Sequence, residues 1–340
     1  MKSIVCFGEA LIDFIADPAA ETHGANVFHQ HAGGAPANVA AAVARLGGRS
    51  EFVGMFAQDM FGDFLIERLH AAGCSTRYAR RTAAANTALA FVALDAHGER
   101  SFSFYRPPAA DLLFRDEHFD AACFADAGIF HVCSNSLTDE AIAHTTCQGM
   151  ARARSAGALV SMDMNLRPSL WPRGVDPLPR LWQALSGADI VKLAVEELAF
   201  LADGAGGEGA VLSRLLANSR AVIVTHGPDA VRWFTRNASG EIPALRVTAL
   251  DTTAAGDAFV GGLLFQLAEH GVHSATFDAL LTDATTWHRV LRFANACGAL
   301  TVTRHGAFAA MPTRGEVEAL LARDEQSVAA ELRAVGGAGR

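Results

Sequence analysis

Short apolar runs rich in Val, Ile and Phe alternate along the chain with longer stretches of helical periodicity. Runs of this kind are typical of strands buried on both faces, and their alternation with helices is typical of a mostly parallel sheet. The pattern predicts strands over Ser3–Phe7, Gly128–Cys133, Leu159–Asp163, Asp189–Leu193 and Ala221–Thr225. It predicts helices over Pro36–Leu46, Phe61–Ala72, Asp139–Ser155, Glu196–Ala202, Asp257–His270 and Val290–Thr301. The predicted fold class is α/β, with helices on both faces of a central, mostly parallel sheet.

Two stretches, roughly 10–32 and 86–106, depart from this alternation of strands and helices. In the second, an apolar run from Thr87 and a mixed run from Arg100 flank a turn at Asp95–Gly98, which predicts a hairpin. The two stretches could pair as a small β-sheet lid that excludes water, or the second could be a plain surface hairpin. We expect one domain over 1–334 and a fraying tail over 335–340.

Composition narrows the class of protein. The 340 residues are 51% hydrophobic with a formal net charge of −8, so no chain-wide cationic surface exists for nucleic acid or anionic membranes. The six cysteines are scattered and contain no Cys-x-x-Cys pair, which predicts reduced thiols rather than disulfides or a metal site. Glu9 and Asp13 interrupt the first apolar run, and no run is long enough to span a membrane, so we expect a cytoplasmic protein.

The segment Asp251–Phe259 (Asp-Thr-Thr-Ala-Ala-Gly-Asp-Ala-Phe) joins a polar turn to an apolar helical run. A helix that begins near Asp257 leaves its first N–H groups unpaired at the positive end of the dipole, where small residues let an anion touch the backbone. Asp257 could instead be only an N-cap and Gly256 only a turn residue. Capping alone does not explain the small residues and the second acid that precede Asp257.

A second segment, Ala32–Gly48, opens with Gly33 and Gly34 and continues into an Ala-rich helix with Pro36 in its first turn. Asn38 there offers a donor and an acceptor to vicinal hydroxyls, although a helix-start amide can also serve only the backbone. The chain has no P-loop, no Gly-x-Gly-x-x-Gly, no His-Glu-x-x-His and no Gly-x-Ser-x-Gly motif. It therefore supports neither a dinucleotide site nor a protease or hydrolase centre.

These two segments, in this order, resemble the two signatures of the PfkB, or ribokinase-like, carbohydrate kinases. The resemblance extends from Phe7 to Pro312, and Arg106–Leu113, His131–Leu137, Asp163–Pro172 and Val191–Leu198 look most like fructokinases. It implies a ribokinase-like fold and transfer of the γ-phosphate of ATP to a primary hydroxyl of a monosaccharide, most like fructose. ATP and Mg²⁺ would be required, K⁺ and a homodimer are further expectations, and no nucleic acid or membrane partner is implied.

The resemblance also implies roles for individual residues. Asp257 would be the catalytic base, and the backbone N–H groups of Ala254, Ala255, Gly256 and Asp257 would hold the γ-phosphate. Besides Asp257, sugar contacts would come from Asp13, Gly33, Gly34, Asn38, Arg106 reaching in from the lid, Asn165 and Arg167. The nucleotide would lie near Lys192, Thr225, Gly227, Gly256, Asn295 and Gly298. Glu197 would contact magnesium through water, and Asp251 and Thr253 would contribute to a potassium site.

Some alternatives stay open at this stage. Arg106 and Arg167 could be ordinary ion-pair partners, and Ala194 stands where the family's Asn-x-x-Glu element has Asn, which affects the water and metal network. The substrate could instead be 2-keto-3-deoxygluconate, ribose or a nucleoside, because stereochemical choice depends on side-chain geometry. A sugar-binding protein without turnover and an NAD-dependent oxidoreductase are the rivals from other classes.

Overall fold

A computed structural model describes residues 1–22, 25–94 and 100–337. Its strands, in chain order, are β1 (Ser3–Phe7), β2 (Leu11–Thr22), β3 (Ala25–Gly33), β4 (Ser50–Val53), β5 (Met55–Ala57), β6 (Arg80–Thr82), β7 (Leu89–Leu94), β8 (Arg100–Tyr105), β9 (Ala127–Cys133), β10 (Leu159–Asp163), β11 (Ile190–Ala194), β12 (Ala221–Thr225), β13 (Val231–Thr235) and β14 (Ser239–Ile242). Eight of these form the central sheet, in the order β14-β13-β12-β11-β10-β9-β1-β4. The strands from β4 to β12 are parallel, and only the β13 and β14 edge is antiparallel.

The α-helices, in chain order, are α1 (Ala35–Arg45), α2 (Met60–Ala71), α3 (Ala121–Asp126), α4 (Glu140–Ser155), α5 (Leu178–Leu185), α6 (Val195–Ala202), α7 (Glu208–Leu216), α8 (Ala255–Glu269), α9 (Phe277–Thr282), α10 (Ala284–Thr301) and α11 (Arg314–Gly337). Alternate strand residues point to opposite faces, so each face has its own core. Val5 and Phe7 pack in the core on the side of α3–α7, whereas Ile4 and Cys6 pack in the core of α1, α8 and α10. This confirms the α/β architecture.

A separate four-stranded sheet has the order β3-β2-β7-β8. Its strands come from the two stretches that depart from the α/β rhythm, and β7 pairs with β8 as the predicted hairpin. Of the predicted turn at Asp95–Gly98, all four residues lie outside the described residues. The two stretches thus form a common sheet rather than a lone hairpin.

Most predicted elements match within two residues, but one helix begins earlier than predicted. Helix α10 starts at Ala284 instead of Val290, because the Asp283 side chain accepts from the Thr286 N–H at 3.0 Å and caps a polar first turn. Helix α11 extends to Gly337 and so overlaps the expected tail over 335–340, whose last three residues lie outside the described residues. Fraying of that end and the single domain over 1–334 stay predictions.

The six cysteines are all free thiols, five of them buried and Cys147 partly buried, as predicted. Within residues 1–22, 25–94 and 100–337, no helix is both long and apolar enough to cross a membrane.

Candidate active site

The candidate site lies where the parallel strands β1, β9, β10 and β11 end. Loops after the carboxyl ends of parallel strands meet at one edge of the sheet, which is where ligands bind in open α/β folds. The start of α1 and the start of α8 face this same edge, because Asn38 on α1 donates to Asp257 on α8 across 219 residues of sequence. The two sequence segments singled out above therefore form one site.

Asp257 occupies the third position of α8 and is buried. Its carboxylate accepts hydrogen bonds from Asn38 Nδ2 at 2.7 Å and from Asn165 Nδ2 at 3.1 Å. The N-cap of α8 is Ala254, in a left-handed conformation with φ 58°, and no side chain caps the helix. Asp257 is therefore not an N-cap, which leaves its carboxylate to act in the site.

The electrostatic setting suits a general base. Burial, together with the charge of the neighbouring Asp163 carboxylate, raises the pKa of Asp257 to about 6 against an ordinary value of 3.8. The Asn38 hydrogen bond and the charges of Lys192 and Arg167 lower the pKa and partly offset this rise. At neutral pH Asp257 is thus ionised but more basic than an ordinary aspartate.

The glycine turn before α1 lies against Asp13 on β2. Gly34 adopts φ 103°, a backbone conformation that residues other than glycine rarely adopt. A Cβ on Gly33 would lie 2.1 Å from Asp13 Oδ2. Burial and the charge of Asp257 raise the pKa of Asp13 to about 7. Asp13, Gly33, Gly34 and Asn38 are therefore brought together around the Asp257 side of the cleft.

Lys192, in the middle of β11, forms a buried ion pair with Asp163, the last residue of β10, with 3.1 Å between Nζ and Oδ2. A Cβ built on Gly256 would lie 3.0 Å from Lys192 Nζ, so the ammonium group lies beside the start of α8. Burial opposes the ammonium charge, but the Asp163 and Glu197 carboxylates outweigh it and raise the pKa of Lys192. A positive charge thus adjoins the start of α8, where the helix dipole is also positive, as an anion site requires.

Glu197 is buried and bonded to two backbone groups. Its Oε1 accepts from the Leu166 N–H and its Oε2 from the Ala194 N–H, both at 2.7 Å. Burial raises its pKa, against the lowering effect of Lys192. Glu197 therefore connects the β11–α6 junction to the loop after β10 through hydrogen bonds. Ala194 takes part in this connection through its backbone N–H, since it has no side-chain amide.

The two candidate arginines have different places. Arg106 is buried, pairs with Asp111 at 2.6 Å, and also donates to the Asn135 carbonyl at 2.7 Å and to Thr138 Oγ1 at 3.1 Å. Arg106 thus belongs to a buried structural ion pair and does not reach into the cleft from the lid, because its guanidinium nitrogens already have protein partners. Arg167 is exposed, and its charge lowers the pKa of both Asp13 and Asp257, which places it at the mouth of the site.

The predicted nucleotide residues are only partly brought together. Thr225 ends β12 beside Ala194, with Gly227 two residues further at φ 48°. Gly298 on α10 lies against the first turn of α8, since a Cβ there would come within 3.1 Å of the Ala255 carbonyl oxygen. Asn295 donates its side-chain amide to the Pro243 carbonyl at 2.9 Å, so this donor serves the protein itself.

Asp251 and Thr253 shape the turn before α8. Asp251 Oδ1 accepts from the Thr253 N–H at 2.8 Å, and its Oδ2 accepts from the Gly306 N–H at 3.0 Å. Asp251 thus links the turn before α8 to the loop after α10. Within the described part of the chain, no cluster of three or more His, Cys, Asp or Glu residues is arranged to hold a metal ion.

Sequence reasoning missed Asp163 as a site residue. Its Oδ2 holds Lys192, and its buried Oδ1 has no hydrogen-bond partner. The available signal was its position as the last residue of a predicted strand, two residues before Asn165. Because the strand order was unknown, its neighbour Lys192 could not be identified from the sequence.

Comparison with known proteins agrees with this geometry. The model of the pfkB family of carbohydrate kinases matches residues 1–314. A probable fructokinase-4 of Arabidopsis thaliana is 41% identical over 321 residues, covering 94% of this chain and 96% of that protein. A fructokinase from Xylella fastidiosa with bound ATP superposes with a TM-score of 0.91 at 54% identity, over 96% of this chain and 99% of that one.

A double mutant of a fructokinase from Vibrio cholerae O395, in fructose, ADP and potassium ion bound form, has a TM-score of 0.83. It is 31% identical and covers 94% of this chain and 98% of that one. These likenesses confirm the ribokinase-like fold with its small separate sheet. They exclude the oxidoreductase alternative, and the chain belongs to the pfkB family of carbohydrate kinases.

Proposed function

We propose that this protein is an ATP-dependent fructokinase, in which Asp257 is the catalytic base. The observation that carries the proposal is the Asp257 carboxylate, which is buried at the start of α8 and held by two asparagine amides beside a lysine ammonium group. The primary hydroxyl of the sugar gives its proton to Asp257 as its oxygen bonds to the γ-phosphorus. The bond from that phosphorus to the ADP oxygen breaks at the same time.

The polar groups around Asp257 suit a polyhydroxylated substrate. Asn38 Oδ1 and Asn165 Oδ1 are buried acceptors without a hydrogen-bond partner in the described structure. An unpaired buried acceptor destabilises a protein by about 1–3 kcal/mol, so hydroxyl donors that reach these two oxygens would bind favourably. Asp13, the Gly33–Gly34 turn and Arg167 complete the proposed sugar contacts. We leave Arg106 out, because its guanidinium is already bonded within the protein.

The backbone N–H groups of residues 254–257 and the Lys192 ammonium group would hold the γ-phosphate, because both are positive and lie at the same helix start. The nucleotide would extend over Thr225, Gly227 and Gly298. When bound, magnesium neutralises charge that develops on the phosphate oxygens. The residues present fit this ion: Asp163 has an unpartnered carboxylate oxygen, Glu197 lies nearby, and Mg²⁺ needs only one or two carboxylates when phosphates and waters complete its shell.

Potassium, a homodimer and a cytoplasmic location remain parts of the proposal. The potassium-bound Vibrio cholerae fructokinase supports the first, with Asp251 and Thr253 in the turn that precedes α8. The four-stranded sheet β3-β2-β7-β8 is the surface we expect a second copy to use. Size-exclusion chromatography with light scattering would test the dimer, and cell fractionation would test the location.

The test is magnesium-dependent ADP release by the purified protein, with fructose, 2-keto-3-deoxygluconate, ribose and adenosine compared and Asp257→Asn as control. We expect release with fructose that the variant abolishes. Release with another acceptor alone would keep the mechanism and reject fructose. Binding of sugar and ATP without ADP release would reject the kinase in favour of a sugar-binding protein.

A further inference from the structure

Glu9 is a buried carboxyl group that the proposed reaction does not use. It follows β1 by two residues, and only 1% of its surface is exposed. Its Oε1 accepts from the Ala35 N–H at 3.0 Å and from Asn135 Nδ2 at 2.9 Å. The Cys133 sulfur lies 3.8 and 3.7 Å from its two oxygens. Burying a carboxyl group destabilises a protein unless the group is hydrogen-bonded. The several partners of this one side chain therefore indicate a specific role.

The bond to Ala35 makes up for a missing cap. Ala35 is the first residue of α1, the N-cap is Gly34, which has no side chain to accept a bond, and the first turn contains no acidic residue. Glu9 therefore supplies, from another element, the acceptor that a helix start usually obtains from its own cap. Its carbonyl oxygen also lies so near the turn that a Cβ on Gly34 would approach it to 2.6 Å.

The bond to Asn135 connects Glu9 to the four-stranded sheet. The Asn135 carbonyl accepts from Arg106 Nη1 at 2.7 Å, and Arg106 directly follows β8. Arg106 is itself held by Asp111 at 2.6 Å. A continuous chain of buried bonds thus extends from the end of the small sheet through Asn135 and Glu9 to the start of α1.

Glu9 holds the part of the site that would bind the sugar. Helix α1 carries Asn38, which is one turn from Ala35 and donates to Asp257, while the preceding turn places Gly33 against Asp13. A shift of the Ala35 N–H would move these groups together, because they share one rigid helix start. Among the described residues, those of β12 and α10, which would form the nucleotide side, make no hydrogen bond to Glu9 and should not move with it.

We propose that Glu9 is a positioning residue for the sugar: its carboxylate holds the Gly33–Asn38 segment in the place from which it binds the acceptor. The proposal rests on the proposed sugar kinase function. A purely structural role is the competing explanation, and it predicts lower stability with unchanged Michaelis constants in the folded protein.

The experiment compares Glu9→Ala and Glu9→Gln with the control Asp189→Asn in steady-state assays of ADP release. Asp189 is also a buried carboxylate that accepts a backbone N–H, from Val160 at 2.9 Å, and it pairs with Arg220 at the start of β11, away from the site. Each assay measures KM for the acceptor sugar, KM for ATP and kcat, using whichever sugar the wild type phosphorylates. Thermal unfolding is followed in parallel, so that loss of folded protein is separated from altered binding.

We expect Glu9→Ala to raise the sugar KM about tenfold, the equivalent of one lost buried hydrogen bond, while the ATP KM changes less than about twofold. Glu9→Gln keeps an oxygen that can accept from Ala35 and should raise the sugar KM by a smaller factor, even if Glu9→Ala does not fold. Asp189→Asn should lower stability and leave both KM values as they are. Unchanged sugar KM in folded Glu9→Gln and Glu9→Ala, or an equal rise for sugar and ATP, would overturn the proposal. A wild type that phosphorylates no acceptor would instead reject the kinase function, and sugar affinity by calorimetry would then replace KM in the same comparison.

Discussion

Replacing Asp257 with asparagine should raise the stability of the ligand-free protein at neutral pH while it removes turnover. The folded protein raises the pKa of Asp257 from 3.8 to about 6, mainly through burial and the Asp163 charge. At 1.36 kcal/mol per pH unit, keeping this carboxylate ionised in the folded state destabilises the protein by about 3 kcal/mol at pH 7. A neutral side chain of the same shape removes that destabilisation.

The pH dependence of this effect has a definite sign. Because the folded pKa is raised, the folded state binds more protons than the unfolded state between pH 4 and pH 6, so stability from this group falls as the pH rises. The advantage of Asp257→Asn should therefore be about 3 kcal/mol above pH 7, about half of that at pH 5 and less than about 1 kcal/mol at pH 4. Hydrogen bonding need not oppose the gain, since Asn165 can turn its unpartnered Oδ1 toward the new amide.

Thermal unfolding of both proteins without ligands, at pH 7.5, 5 and 4, measures the difference. Over the same series, turnover of Asp257→Asn should be lower by about 10²- to 10⁴-fold. A variant that is no more stable than wild type at pH 7.5, or whose advantage is the same at pH 4, would refute the argument from burial. A variant with near-normal turnover would remove Asp257 from the role of base.

Three further predictions follow from the same geometry. The kcat/KM of the wild type should fall about tenfold per pH unit below about pH 6. Asp163→Asn should shift this fall to lower pH, because the Asp163 charge raises the pKa of Asp257. Identical pH profiles of the two proteins would contradict the assignment of Asp257 as the base. Arg106→Met should lower the free energy of unfolding by about 3–5 kcal/mol in urea titrations, because it leaves Asp111 buried without its partner, and a loss below about 1 kcal/mol would show that the pair is unimportant. Turnover should rise when potassium replaces sodium in the assay, and equal activity in both salts would argue against a potassium site at Asp251.

Much of the fold was predictable from local pattern. Strands β1, β10 and β12 match their predicted bounds, because strands buried on both faces appear as short, uninterrupted apolar runs. The edge strands β13 and β14 were not predicted, since they are short and partly exposed and their mixed sequences carry no such signal. The start of α10 was misplaced for a related reason: its first turn is polar and is held by a cap rather than by an apolar face.

The sequence by itself determined the family, and it singled out Asp257 and the two segments that form the candidate site, because each depends on residue types at fixed local spacing. Only the tertiary structure decided which side chains meet. It paired Lys192 with Asp163 by placing β10 beside β11, and it buried Arg106 against Asp111 instead of in the cleft. It also placed Glu9 under the first turn of α1. Such contacts depend on strand order and on the packing of distant elements, and a linear pattern of polar and apolar residues does not contain that information.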